Sequence, residues 1–345
     1  MEVNYKDIQL FPVFNTVRRE EMTDDVYFSE PLSKGYISNS KLGNLKRDGK
    51  KGYLAGFKKD YFESFFLGTV IHSQLLTPEE FGYQHYILKP NAKLGAVMDK
   101  TLKLAKGGTI TKEHVKKACT DVNYYSENLT DKRLESILEK GKDYFALNDY
   151  NDNIYRLNDT QYNIVTTALK SCDRNPQIKK LIHPLDSFGD PIESHCEDAL
   201  FMDFVGIYDN KCVRLPLKQK IDNWTIDVEN KILTLNDVKT TSERYINGFK
   251  EKDGHFHSYS YYRQFYFYSQ LLKEYCKMKY GYDESTWEFK SNVIVIQTVD
   301  PFYTKVFPVT DEDYDLGKLD FEQLLKQVAF YEINGWDKDV TFICE

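Results

Sequence analysis

The chain has 345 residues and a mass of 40.5 kDa, enough for one large domain or two modest ones around a sizeable core. A net charge of −7 argues against a protein that coats nucleic acid nonspecifically, yet leaves open a catalyst whose acids hold metal while its cations are segregated locally. No apolar run approaches bilayer length, MEVNYKDIQLFPVF lacks the pattern of a signal peptide, and six scattered cysteines without a CxxC pair read as free thiols in a reducing cytoplasm.

In chain order, residues 1–35 read as a peripheral lead-in, followed by a basic, Gly-containing stretch over 38–59. The segment FESFFLGTVIHSQLLTPEEF predicts a helix ended by Pro78, with Phe65, Phe66, Val70, Ile71, Leu75 and Leu76 on one broad apolar face. Residues 93–145 hold Lys-rich helical patterns, and NDYNDNIY (148–155) is a turn-rich joint into another helix, DTQYNIVTTALKSC. After Asn175 the texture changes to strand-like runs: HCEDALFMDFVGIY, VRLPLKQKID, WTIDVE and KILTLNDVK, the last two joined by a tight turn at Glu229-Asn230. SYSYYRQFYFYSQLLKEYCKMKYG predicts a helix stopped by Gly281; NVIVIQTV and FYTKVFPV predict further strands, and FEQLLKQVAFYEIN a closing amphipathic helix. Helices first, then strands, a long helix and more strands together predict an α/β (mixed α+β) core with a helical N-terminal portion packed on it.

The chemistry concentrates in KILTLNDVKTT. On a strand, Asp237 and Lys239 share a face with Leu233 and Leu235 behind them, while Val238 points the other way. A carboxylate beside an ammonium suits metal-assisted phosphodiester cleavage, the acid holding a divalent ion and the lysine serving the attacking water or the developing charge. Taken alone, a DxK is far more often an exposed ion pair at a strand end. Asp222 ends the preceding strand and can converge with Asp237 on a hard cation, while Glu197 or Glu193 supplies a candidate third carboxylate. Gln264 and Tyr268 lie one turn apart on the long helix, and His72 stands mid-helix in GTVIHSQLL, either as a metal ligand or as a core histidine.

In order and spacing, Gly68-His72-Leu75-Leu76, then Asp222 in KIDNW, then Asp237 and Lys239 in DVKTT, then Gln264 and Tyr268 resemble the motifs of the PD-(D/E)XK nuclease superfamily, in particular the RecE-like (exonuclease VIII-like) phage and prophage exonucleases and the RecB nuclease domain. YISNSKL, with Ser38, Ser40 and Leu42, resembles the SxSxL helix start of those families, and the resemblance extends over residues 36–336. It implies a restriction-endonuclease-like core, a central mixed sheet flanked by helices, as one domain over 36–345: a mainly helical part to 180, the catalytic sheet and helix over 181–310, and a C-terminal helix over 311–345. It further implies Mg²⁺ or Mn²⁺ held by His72, Asp222, Asp237 and the Val238 carbonyl, Lys239 as the catalytic lysine, and Gln264 and Tyr268 as its supports. The family's carboxylate before the first Asp has no unambiguous match here, and Glu197 is assigned to it.

Lys41, Lys46, Arg47, Lys50, Lys51, Lys58 and Lys59 form the densest basic stretch and are candidates for phosphate contact; Arg244, Lys250, Lys252, His255, His257 and Arg263 form a second group. The intervening 242–257 segment reads as a gate over the site or as a long connection. The leading expectation is a metal-dependent exonuclease on linear duplex DNA. An endonuclease or single-strand nuclease on the same centre, or a non-cleaving DNA-binding relative, are the alternatives. The family also implies a phage or prophage origin with action in the bacterial cytoplasm, DNA as partner, a single-strand annealing protein beside it, and a homo-oligomer.

Overall fold

Runs of β-branched and aromatic residues after position 193 build the strands that organise the chain, and amphipathic segments on either side supply its helices. In the computed structural model, which describes all residues except 20–21, 56–61, 87, 91, 147–150, 152 and 344–345, the elements run β1 (Glu2–Asn4), β2 (Gln9–Arg19), α1 (Asp24–Tyr27), α2 (Glu30–Gly35), α3 (Asn39–Ala55), α4 (Glu63–Leu76), β3 (Gly82–His85), α5 (Ala92–Ala105), α6 (Lys112–Asp121), α7 (Asp131–Phe145), β4 (Ile154–Leu157), α8 (Asp159–Asp173) and α9 (Pro176–Ile182). They continue with β5 (Glu193–Tyr208), β6 (Lys211–Asp227), β7 (Ile232–Thr241), α10 (His255–Ser258), α11 (Tyr261–Tyr280), β8 (Glu288–Gln297), β9 (Thr304–Pro308), α12 (Asp311–Asn334) and β10 (Thr341–Ile343).

Six strands form the central sheet in the order β2-β5-β6-β7-β8-β9. β7 and β8 run parallel and the other neighbours antiparallel, so the sheet is mixed. Helices cover both faces. Leu233, Leu235, Val293 and Val295 pack in one layer with Phe265, Leu272, Leu325 and Val328 of α11 and α12. On the other face Val238, Ile294 and Ile296 meet Val70 and Ile71 of α4, Val165 of α8 and Ile178 of α9. The helices α5–α7 carry a smaller core of their own around Val97, Val115 and Ile137.

Three expectations change. The lead-in over 1–35 is not merely peripheral: its residues 9–19 form β2, the edge strand against β5. Its apolar residues Phe11, Phe14 and Val17 stay exposed, so alternation carries little signal there and only the long-range pairing reveals the strand. The basic stretch over 38–59 is largely helical. α3 buries Leu42, Leu45 and Tyr53 and is interrupted at Gly49, whose φ of 63° a helix does not contain. VRLPLKQKID and WTIDVE join into the single strand β6. Lys58, Lys59 and part of the 148–155 joint lie outside the described residues.

α11 ends as its sequence predicts, with Gly281 in the left-handed region at φ 70°. Its first turn lies against α12 at Gly317, where an added Cβ would come 2.4 Å from the Tyr262 carbonyl oxygen. Backbone cannot yield as a flexible side chain does. Gly317→Ala is therefore expected to part the two helices and destabilise the protein by roughly 1–3 kcal/mol, by analogy with overpacked cores. The check is the urea midpoint, and a midpoint equal to that of the natural protein would contradict this close approach.

Candidate active site

β6 and β7 pair only from Asn223↔Asn236 to Asp227↔Ile232. Beyond Asn223 the strands part, and the fork they leave carries Asp222 on one prong and Asp237, Val238 and Lys239 on the other. A ladder of buried amides closes the crotch. Asn236 Nδ2 donates to Asn223 Oδ1 at 2.8 Å, and Asn292 Nδ2 of β8 donates to Asn236 Oδ1 at 3.0 Å. Across the gap the Val238 N–H donates to Asp222 Oδ2 at 2.7 Å, so the acid of one prong is fixed by the backbone of the other.

β5 adds the third carboxylate through a break in strand alternation. Ile221 and Trp224, three residues apart, both enter the α11–α12 layer, which strict alternation forbids. The break falls at Asp222, opposite Glu197, whose φ is 53°. A non-glycine residue held there costs roughly 1–3 kcal/mol and tends to mark functional positions. Glu197 and Asp222 then meet His72, and ligand atoms of the three lie within 4.8 Å of one another. His72 Nδ1 is 3.7 Å from Asp222 Oδ2. α4 delivers the histidine by approaching β7 closely at Gly68, where a Cβ would stand 2.9 Å from Thr240 Oγ1.

Asp237 is only 1% exposed. Its Oδ1 accepts from Gln264 Nε2 at 2.7 Å, a charge-assisted bond of about 1.5–3 kcal/mol. Its Oδ2 meets the Lys239 ammonium at 2.5 Å but receives no well-aligned hydrogen bond. Tyr268 stands one helical turn beyond Gln264 on α11, and burial pushes its hydroxyl well above its ordinary value. Lys239 Nζ lies 4.9 Å from the centre of the Tyr261 ring.

The electrostatics follow from this crowding. Burial pushes the His72 imidazole down to about 4, with Lys239 helping and Glu197, Asp237 and a Val238 backbone hydrogen bond opposing, so the ring is neutral and able to ligate at neutral pH. Burial, then the charge of Asp222, raises Glu197, against Lys220; burial raises Asp222 as well. Burial pulls the Lys239 ammonium down, but Asp237 and Asp222 outweigh it and hold the group above its ordinary value. One imidazole with the hard carboxylate oxygens of Glu197 and Asp222 is a donor set that fits Mg²⁺ or Mn²⁺.

Of the residues singled out in the sequence, His72, Glu197, Asp222, Asp237, Val238, Lys239, Gln264 and Tyr268 all stand in or around the fork. Glu193 lies elsewhere, bonded to His195 at 2.7 Å and to the Tyr280 hydroxyl. The basic residues do not gather with them. Arg263 is 3% exposed and bonded to Asp320 at 2.8 Å and Asn39 at 2.9 Å, so it ties α11 to α12 and α3 instead of offering itself to a phosphate. Lys46 joins the same knot through Asp320 at 2.9 Å. Lys50 pairs with Asp339 at 2.5 Å, Arg47 with Asp48 and Asn44 on its own helix, and Lys51 is exposed. The 242–257 segment is folded: His255 bonds Thr241 Oγ1 at 3.0 Å and lies 3.2 Å from Glu243. Sequence reasoning missed Lys220, which contacts Glu197 Oε2 at 2.5 Å; its i−2 spacing from Asp222 is the signal that could have found it.

Fold and site together define a mixed α/β protein whose parted sheet presents an imidazole, three carboxylates and a lysine in one fork. No protein-family model matches the chain, and no curated protein sequence matches it. Among solved structures, a protein from Eubacterium rectale bearing a provisional exonuclease name is similar over 93% of this chain and 89% of its own, with 10% identity and a TM-score of 0.46. Rai1 of Scheffersomyces stipitis, solved with 3′-NADP⁺ and calcium, is aligned over 96% of this chain and 85% of its own, with 10% identity and a TM-score of 0.22. Likeness at this level carries no argument about activity, which rests on the residues of the fork.

Burial, with the charge of Asp222, lifts the Asp237 carboxyl from 3.8 to about 6, against the pull of Lys239. Between those values the folded protein binds this proton more tightly than the unfolded chain, so this group's contribution to stability falls as pH rises through the window. In metal-free protein, Asp237→Asn is expected to flatten the dependence of unfolding free energy on pH from about 4 to about 6. Denaturant titrations across that range check it, and an unaltered slope would count against the assigned shift.

Proposed function

We propose that this chain is a divalent-metal-dependent deoxyribonuclease, an exonuclease of the RecE-like kind within the PD-(D/E)XK superfamily that resects linear double-stranded DNA. The observation that carries the reading is the fork between β6 and β7, which sets His72, Glu197 and Asp222 within one ligand-sized space and faces them with the Asp237–Lys239 pair. His72, Glu197, Asp222 and Asp237 would hold Mg²⁺ or Mn²⁺, with the Val238 carbonyl beside them. Such a cation would supply Lewis-acid stabilisation of the charge that develops on the scissile phosphate.

The chain's own residues do the rest. Lys239, held protonated by Asp237 and Asp222, suits charge stabilisation and orientation of the attacking water better than proton abstraction. Gln264, with Tyr268 behind it, fixes the Asp237 rotamer and so the lysine that pairs with it. Val238 N–H fixes Asp222 in the same way. The imidazole in the donor set favours Mn²⁺ at least as much as Mg²⁺. DNA is the proposed partner; a single-strand annealing protein, a homo-oligomeric state, and a recombination role in the cytoplasm of a phage-bearing bacterium belong to the same reading.

The test is incubation of purified protein with linear and covalently closed duplex DNA, with Mg²⁺, Mn²⁺ or EDTA. Linear DNA alone is expected to disappear, EDTA to abolish the loss, and Lys239→Ala to slow it by roughly 10²–10³-fold. Cutting of closed circles would move the function to an endonuclease on the same centre. Absence of metal-dependent cutting of duplex or single strands, in folded protein, would leave a non-cleaving DNA-binding relative as the better account.

A further inference from the structure

We infer that Lys220 is a positioning residue that holds the Glu197 carboxylate turned toward a divalent cation at His72 and Asp222, a role that rests on the metal-site reading above. Lys220 lies two residues before Asp222 on β6, and its Nζ stands 2.5 Å from Glu197 Oε2. The pair is largely shielded from water, with 16% of the lysine side chain and 30% of the glutamate side chain exposed.

Glu197 needs such a tether because its φ of 53° takes its side chain out of the alternation that fixes its neighbours, so the pleat does not aim the carboxylate. A carboxylate has two oxygens, so an ammonium on one is compatible with a cation on the other. The arrangement repeats on the far prong, where Lys239 pairs with Asp237. The two lysines therefore have different roles, since Lys239 faces the reacting group whereas Lys220 acts through Glu197.

The sign of one measurement decides the matter. Coulomb's law alone says that deleting a positive charge near a cation site tightens cation binding. Loss of a residue that orients a ligand loosens it, typically by 10–100-fold. Mn²⁺ binding to the full chain, without DNA, can be followed by electron paramagnetic resonance of the free ion. Lys220→Met is expected to weaken Mn²⁺ binding by roughly 10–100-fold, and Lys220→Arg to restore it to within a few-fold. Lys220→Gln serves as the neutral variant should the methionine protein fail to fold, as judged by melting without metal. Unchanged or tighter binding in the neutral variant, or an arginine variant no better than it, overturns the inference. Asp222→Ala separates the two levels: if the natural protein shows no Mn²⁺ binding that this substitution removes, the metal-site reading falls and the inference with it.

Discussion

The structure depends on where β6 stops pairing with β7. A continuous sheet would bury this region between α4 and α11 with every backbone group satisfied by its neighbour strand. Here the ladder ends at Asn223↔Asn236, and the groups past that point need other partners. A side chain supplies one: Asp222 takes the Val238 N–H at 2.7 Å. Asn223, Asn236 and Asn292 mark the last rung before the split, and Asn236 also reaches the Leu181 carbonyl of α9 at 3.2 Å. Buried amides bonded in this way fix the branch point, because any slip in register would leave several polar groups unpaired at once.

Charge is the second constraint. Three carboxylates, Glu197, Asp222 and Asp237, share a space mostly withdrawn from water, and their raised proton affinities record the strain. Two ammonium groups and one backbone N–H offset it: Lys220 on Glu197, Lys239 on Asp237, Val238 on Asp222. Replacing such a cluster with apolar residues of similar volume is often neutral or stabilising, so stability alone does not account for it. A function that uses the negative potential does, and a divalent cation is the species that three acids and a neutral imidazole accommodate together.

How much of this was legible in the sequence follows from the range of the interactions. Asp237 and Lys239 share a face because a strand alternates, and Gln264 and Tyr268 share one because a helix repeats every three to four residues; both rules act within a few residues. Long apolar segments fixed β8, α11 and α12 in the same way. The sequence does not separate Glu197 from Glu193, because the alternation breaks at Glu197 and a break of phase has no local signature. β2 stayed hidden in the lead-in for the opposite reason: its register is set by β5, more than 180 residues away, and its own pattern leaves apolar side chains in solvent. Charge density misled at Arg263, since a run of cations says nothing about which of them find a half-buried acid such as Asp320.

Gly68 and His72 show how a short motif can carry long-range geometry. The four-residue spacing puts both on one face of α4, so the glycine sets the height at which the histidine arrives. With a Cβ at Gly68 the helix would press on Thr240 Oγ1, one residue beyond Lys239, so that either the threonine turns away or the helix rises off the sheet. Any such rise lengthens the reach from His72 to Asp222, now 3.7 Å. A ligand set tolerates displacements of only a few tenths of an ångström before coordination is lost. The small residue at position 68 is therefore part of the centre although it bears no functional group, because the fork opens in β6 and β7 but is completed only by the distance at which α4 is allowed to lie.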